Sequence, residues 1–242
     1  MYEFVDAHIH LYKFTRNELD QLYKGKKYIF LTVAEDISSS LQNVKLSMLY
    51  ENVIPSVGIH PWKAHKTKKE DLEKIKEIVD RTNIKVLGEV GLDKHFVPQT
   101  FERQKEIFIE FLKLAKEYDL SLNLHTPNAW KEVLDLLIKF DIRKAYFHWY
   151  IGPLELLEEI KSKGYFVGIN VAAFKQEKML KTIESADLNI ILTESDAPYE
   201  YKGLILHPLK IPELINLIAE YKNVQPDKVI KVVKQNLSKF LS

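Results

Sequence analysis

The sequence predicts an α/β fold, a TIM-type (β/α)8 barrel of regular or distorted form, and three observations predict it. Eight short β-branched or aromatic runs alternate with longer amphipathic stretches along 242 residues. Several of these runs are apolar through their centres, as parallel strands covered on both faces must be. Histidines and carboxylates gather at the C-terminal ends of the runs, the rim on which barrel enzymes carry their chemistry.

The runs come in order as YEFVDAHI at 2–9, KYIFLTV at 27–33, NVIPSVGIH at 52–60 and KVLGEVGL at 85–92. LSLNLHT at 120–126, KAYFHWY at 144–150, YFVGIN at 165–170 and NIILTES at 189–195 complete them. The clearest helix between them is 99–118, where Phe101, Ile107, Phe108, Phe111, Leu112 and Ala115 make a broad apolar face. Residues 128–139, 153–163 and 175–186 read as further crossover helices, with Asn128 placed to cap the first of these. Segments 208–222 and 226–241 are closing helices, and Pro226 with Asp227 marks the second start. The crossover 34–51 has the weakest pattern. No repeat or linker divides the chain, so one domain spans 1–242.

A hydrophobic content of 46% is ample for a core. Acidic residues (34) nearly cancel basic ones (35), so no large net charge advertises a nucleic-acid coat or an acidic partner. Cysteine is absent, which excludes disulfides, thiolate ligands and a cysteine nucleophile. A bound metal would therefore need imidazole and carboxylate ligands. The start MYEFVDAHIHL lacks a signal-peptide pattern, and no apolar run is long enough to span a membrane. The expected location is cytoplasmic, with no membrane and no obligate protein partner.

His8 and His10 end the first run two residues apart, so both imidazoles point the same way in a strand, with Asp6 beside them. The bland alternative is a polar pair near a chain terminus. Glu89 follows the fourth run between Gly88 and Gly91, and its two oxygens could bridge two cations or form a salt bridge in the barrel mouth. His125 and His148 end adjacent runs and point to a second metal, although either could be a satisfied core histidine. His60 reads equally as a substrate contact or as a brace for the loop through Pro61 and Trp62. Asp93 could orient a ligand or a loop, and Glu194 could hold a helix or loop by hydrogen bonding. Asp196 turns into the mouth as ligand and proton handler. Trp62, Trp130 and Trp149 all follow strand ends, where they either stack on bases or pack the loops.

Taken in order, HIH, GIHPW, GEVGLD, LHTPNAW, HWYIG and TESDAPY resemble the TatD-like deoxyribonuclease family of metal-dependent hydrolases, within the amidohydrolase superfamily. The resemblance runs from Asp6 to the closing KQNLSKF and implies the barrel fold. It assigns His8, His10, Glu89 and Asp196 to a first metal, and it makes Glu89 the bridge to a second metal held by His125 and His148. His60 and Asp93 match further positions near the site, and Asn236 matches a structural position in the closing segment. The cofactor is then two divalent ions (zinc, manganese or magnesium), and the substrate is DNA, cleaved at its phosphodiester bonds from a strand end.

A pair of cations about 3.5–4 Å apart lowers the pKa of a water between them and neutralises charge on a phosphorane. Asp196 and Glu89 are the catalytic carboxylates. Asp196 would position the water and accept its proton, and Lys94 or Lys202 would steady the leaving oxygens. The family pattern is broken in places. Thr126–Pro127 stands where serine then arginine is usual, HWYIG replaces a histidine-cysteine-phenylalanine-serine-glycine motif, and Lys202–Gly203 replaces an arginine-glycine pair. Phe111 stands where glutamine is frequent. These departures keep a second class open, hydrolysis of a small amide, lactone or phosphoester, and a third, a binding protein without catalysis.

Overall fold

The computed structural model describes residues 3–25 and 27–242; Tyr2, which opens the first predicted run, lies outside them. Eight strands form one sheet in sequential order: β1 (Phe4–Ile9), β2 (Tyr28–Thr32), β3 (Val53–Val57), β4 (Val86–Gly91), β5 (Ser121–His125), β6 (Ala145–Phe147), β7 (Phe166–Asn170) and β8 (Ile191–Glu194). Every neighbouring pair is parallel. All residues of β1 and of β4 through β8 are buried, as the near-continuous apolar runs require of strands covered on both faces.

The remaining seam, between β8 and β1, is closed by a few specific bonds. Thr193 Oγ1 donates to the Val5 carbonyl at 2.6 Å. Asp196 N donates to the His8 carbonyl at 2.8 Å, and His10 N to that of Ala197 at 2.9 Å. Asp6, buried at the seam, accepts from Ser195 N at 2.9 Å and from Ser195 Oγ at 2.6 Å. Burial lifts the Asp6 carboxyl to about 7 against the pull of these Ser195 bonds. Asp6 therefore serves the closure of the barrel, and the sheet is a nearly closed (β/α)8 barrel.

The outer layer is α1 (Arg16–Lys24), α2 (Ile37–Leu49), α3 (Lys69–Arg81), α4 (Phe101–Tyr118), α5 (Trp130–Lys139), α6 (Leu157–Ser162), α7 (Glu177–Ser185), α8 (Ile211–Lys222) and α9 (Pro226–Leu241). Thr15 and Glu18 close a capping box on α1, and Asp36 with Ser39 does the same on α2. Pro226 takes the first position of α9, where its missing N–H costs nothing. On α9, Asn236 gives its amide to the carbonyls of Leu188 (2.9 Å) and Ile191 (2.7 Å), at the start of β8 and far from the strand ends that carry the chemistry. The hairpin of β9 (Glu200–Tyr201) and β10 (Leu204–Ile205) stands beyond β8.

Three local expectations change. Asn128 does not cap α5; it turns the chain with φ 56°, and Ala129, which has no capping side chain, precedes Trp130. The runs at 52–60 and 144–150 are strand only over Val53–Val57 and Ala145–Phe147, because their last apolar residues belong to buried loops. The stretch 153–163 divides into a 3-10 turn at Leu154–Leu156 and the short α6.

Candidate metal centre

Two irregularities in the barrel fall on the residues that matter. The β1–β2 register shifts between Asp6 and Ile9, around His8, and the β4–β5 register shifts between Leu87 and Val90, around Glu89. Such bulges re-aim a side chain at the rim. Beside Glu89, Gly91 has φ 141° and lies so close to β5 that a Cβ there would stand 2.1 Å from the His125 carbonyl oxygen. Only glycine fits.

Four atoms converge on one side. Glu89 Oε2 lies 3.4 Å from His8 Nε2 and 3.8 Å from His10 Nε2. Asp196 Oδ1 lies 3.5 Å and 3.2 Å from the same two nitrogens. Donors around a tetrahedral ion with bonds of about 2.0–2.1 Å stand about 3.4 Å from one another, so the spacing is that of a ligand shell. The nitrogen chemistry agrees. Asn123 gives its amide to the Ala7 carbonyl at 3.0 Å, which turns its oxygen to His8 Nδ1 at 2.8 Å. The His8 proton therefore sits on Nδ1, and Nε2 is a buried lone pair with no hydrogen-bond partner.

The other oxygen of Glu89 faces a second group. Oε1 lies 2.8 Å from His125 Nδ1, 3.1 Å from His148 Nε2 and 3.2 Å from His60 Nε2. His125 presents its opposite nitrogen, Nε2, to Asp93 Oδ2 at 2.8 Å. His148 Nδ1 looks back toward Glu194 Oε1 at 3.6 Å. Glu194 is itself fixed by Trp149 N (2.9 Å), Asn170 Nδ2 (3.1 Å) and the Tyr146 hydroxyl. Among the described residues, three overlapping groups of ligand-sized spacing lie here, namely His8, His10 and Asp196, then His60, Glu89 and His125, then His8, His148 and Glu194, and they could hold one or two divalent ions.

His60 behaves differently from its neighbours. Its Nδ1 accepts the Trp62 backbone N–H at 3.2 Å, so in the neutral ring the proton lies on Nε2, toward Glu89. Burial keeps the ring neutral by pushing its pKa down, despite Glu89. His60 thus gives Glu89 an N–H donor and keeps no free lone pair for a cation.

The charges in the cluster are coupled. Burial alone would raise the Glu89 and Asp196 carboxyls, but His60, His8 and His148 around Glu89, and His10 and His8 around Asp196, hold both below the usual range. Burial opposes protonation of His125 and His148, yet Asp93 and Glu89 raise the first, and Glu89 and Glu194 raise the second strongly.

The cluster lies in a cavity of about 750 Å³ at the C-terminal rim. A family profile described as TatD related DNase matches residues 5–242. The chain belongs to the TatD-related DNase family. Its similarity to an uncharacterized metal-dependent hydrolase of Methanocaldococcus jannaschii is 30% identity, over 98% of this chain and 96% of the relative. The human deoxyribonuclease TATDN3 is 28% identical, over 98% of this chain and 93% of its own. Among solved structures, the TatD homologue YJJV of Escherichia coli superposes with a TM-score of 0.87 at 24% identity, covering 98% of this chain and 97% of that one. A TatD family hydrolase of Entamoeba histolytica gives 0.84 at 15% identity, with 99% and 98% covered. Both share the barrel. A buried histidine and carboxylate cluster at its rim is consistent with the active site of a metal-dependent hydrolase.

Within this TatD-family barrel the candidate residues divide. His8, His10, His60, Glu89, His125, His148 and Asp196 converge; Asp93 and Glu194 stand directly behind two of the histidines. Lys94 does not line the cavity, because its ammonium pairs with Glu132 and lies over Phe101. Lys202 sits in the β9–β10 turn with φ 49°, over the Tyr201 ring and outside the wall. The lysines in the wall are Lys63, Lys66 and Lys178.

Besides Asn123 behind His8, three further supports carry no sequence expectation. Gln104 on α4 is buried and accepts Asp93 N at 2.7 Å; a lone polar residue among the apolar positions of that helix was the available signal. Tyr146 reaches Glu194 from inside β6. Glu35 lies 3.8 Å from His10 Nδ1, and Lys13 (2.6 Å) and Tyr199 (2.7 Å) hold it. Burial would raise Glu35, but Lys13 and Tyr199 bring it down to about 2. No local pattern joins positions so far apart in the chain.

Proposed function

We propose that this chain is a divalent-metal-dependent phosphodiesterase that cleaves DNA from a strand end. The observation that carries this reading is the division of Glu89, whose Oε2 faces His8 and His10 while Oε1 faces His125 and His148. One carboxylate shared between two groups is the donor set of a two-cation site, with His8, His10, Glu89 and Asp196 on one ion and Glu89, His125 and His148 on the other. The orphaned Nε2 of His8 fits that role. Zinc, manganese or magnesium held there would supply Lewis acidity and lower the pKa of water. The histidine content favours zinc or manganese over magnesium.

This chain's own residues do the rest. Asp196, held ionised by His10 and His8 against its burial, orients the attacking water and takes its proton. The φ of 58° at Asp196 turns its carboxylate out of the strand and into the cavity. His60 offers its Nε2–H to a phosphate oxygen. Lys63, Lys66 and Lys178 bring positive charge to the mouth. The name of the human relative, a deoxyribonuclease, supports DNA as the substrate.

One observation favours a second reading, hydrolysis of a small phosphoester, amide or lactone. Among the described residues no arginine lines the cavity, and Pro127 stands after Thr126 in its wall. End-labelled single-stranded DNA, incubated with metal-stripped protein refilled with magnesium, manganese or zinc, separates the two. Progressive shortening that needs added metal supports the nuclease. Intact DNA with every metal, alongside turnover of a small ester, moves the assignment to the second class.

A further inference from the structure

Of the three tryptophans, Trp130 and Trp149 pack against the core, whereas Trp62 stands at the cavity mouth with 45% of its surface exposed. Beside it lies Phe96, 59% exposed, with the two ring centroids 5.5 Å apart and nearly edge to face. One buried carboxylate holds the Trp62 ring and the backbone that carries Phe96. Asp93 Oδ2 accepts Trp62 Nε1–H at 2.6 Å, and Oδ1 accepts the backbone N–H of Phe96 at 2.7 Å and of His95 at 2.8 Å. The same Oδ2 meets His125 Nε2. The Trp62 ring is thus anchored, and the Phe96 backbone placed beside it, by the group that also positions a histidine of the metal cluster. The Trp62 centroid is 5.0 Å from that of His60 and 5.9 Å from that of His125. A large ring exposed to water and anchored in this way loses little freedom when a flat ligand lands on it, and Phe96 adds apolar surface beside it.

We propose that Trp62 and Phe96 form a stacking subsite for one nucleobase next to the scissile phosphate. Lys63 and Lys66, which follow Trp62 in the same loop and line the cavity, meet the neighbouring phosphates. The subsite rests on the phosphodiesterase reading for its substrate, and stacking reads any base because every base has a flat face.

Thymidine oligonucleotides with a single abasic tetrahydrofuran unit, walked through the positions around the cleaved bond, test it. Wild-type kcat/KM should fall roughly 5- to 100-fold when the unit occupies one position, with the loss mostly in KM. In Trp62→Ala and Phe96→Ala that base-to-abasic ratio should collapse toward one, while Trp62→Phe keeps most of it. Phe96→Ala touches no polar group and guards against a folding defect in the tryptophan variant. A ratio unchanged in both alanine variants overturns the proposal. If wild type cleaves no oligonucleotide with any metal, the phosphodiesterase reading fails by itself, and intrinsic fluorescence then decides the subsite. Quenching by a thymidine oligomer that disappears in Trp62→Phe supports it; no quenching, or equal quenching in that variant, overturns it.

Discussion

Asp93 holds His125 by the Nε2 edge, at 2.8 Å, and so leaves Nδ1 turned to Glu89. Asp93 stays ionised in this position, since burial pulls its carboxyl up but His125 and Trp62 bring it down to about 2. A histidine steadied by a carboxylate is a more basic and better oriented ligand. Asp93→Asn keeps the shape but offers one acceptor oxygen instead of two to four donors. Affinity for the second equivalent of zinc or manganese should fall roughly 10- to 100-fold by calorimetric titration, with the first equivalent little changed. Equal loss at both equivalents would contradict the separation of the two groups.

Glu194 faces His148 Nδ1 at 3.6 Å, beyond hydrogen-bond range, and its main bonds hold the fold. Its carboxylate accepts from Trp149 N, Asn170 Nδ2 and the Tyr146 hydroxyl, all buried or nearly so. Glu194→Ala strands these donors. At about 1–3 kcal/mol for each unsatisfied group, the loss should be at least about 3 kcal/mol, or a Tm lower by roughly 6 °C or more. Gly168→Ala should act on the same knot, since its Cβ would stand 2.4 Å from Glu194 Oε2. Differential scanning calorimetry of the metal-free protein measures both.

Loading with metal should release protons. His125 and His148 are raised by Asp93, Glu89 and Glu194 over the opposing effect of burial, so at neutral pH the metal-free cluster carries protons that a cation must displace. Affinity for zinc should rise with pH across the range where these rings lose their protons and weaken in acid. Titrations in two buffers of different ionisation enthalpy should show about one to two protons released at pH 7. Proton uptake, or none, would go against the prediction.

Glu35 gives a separate pH signature. Its carboxyl stands at about 2 against an ordinary 4.5, because Lys13 and Tyr199 outweigh burial. A depressed carboxyl adds stability that is complete above the unfolded value and is lost as pH falls from about 4.5 toward 2. With partial solvent screening, Glu35→Gln should remove about 1–2 kcal/mol at pH 7 and flatten that acid limb. Chemical denaturation at several pH values gives the comparison.

The barrel was legible because period and position agree. All eight apolar runs are strands, and α4 shows the apolar face read from Phe101 to Ala115. The weak crossover at 34–51 has a physical cause. On α2 the buried positions include Ser39, Ser40 and Asn43, while Leu41, Met48 and Leu49 face solvent, which inverts the usual signal. Asn43 is spent inside, bonding the carbonyls of Thr32 and Ser56. At the site, the convergence of His8, His10, Glu89, His125, His148 and Asp196 could be anticipated, since each lies in the C-terminal half of a strand or within two residues past its end. Their supports could not. Asn123 sits within a strand, Gln104 on a helix and Glu35 in a loop, and only the closed barrel brings them behind the histidines. Lys94 and Lys202, expected to steady the leaving oxygens, stand apart from the cavity, because Glu132 takes one and a hairpin turn carries the other away.

The proposed bridge of two cation sites by Glu89 fixes how much metal each variant of the chain should bind. Wild type, His10→Ala, His148→Ala and Glu89→Ala, each stripped, reloaded with zinc or manganese and desalted, would be analysed for metal per chain. We expect two equivalents in wild type, one in each histidine variant and none or a weak trace in Glu89→Ala. A single equivalent in wild type, or two retained without Glu89, would contradict the bridge.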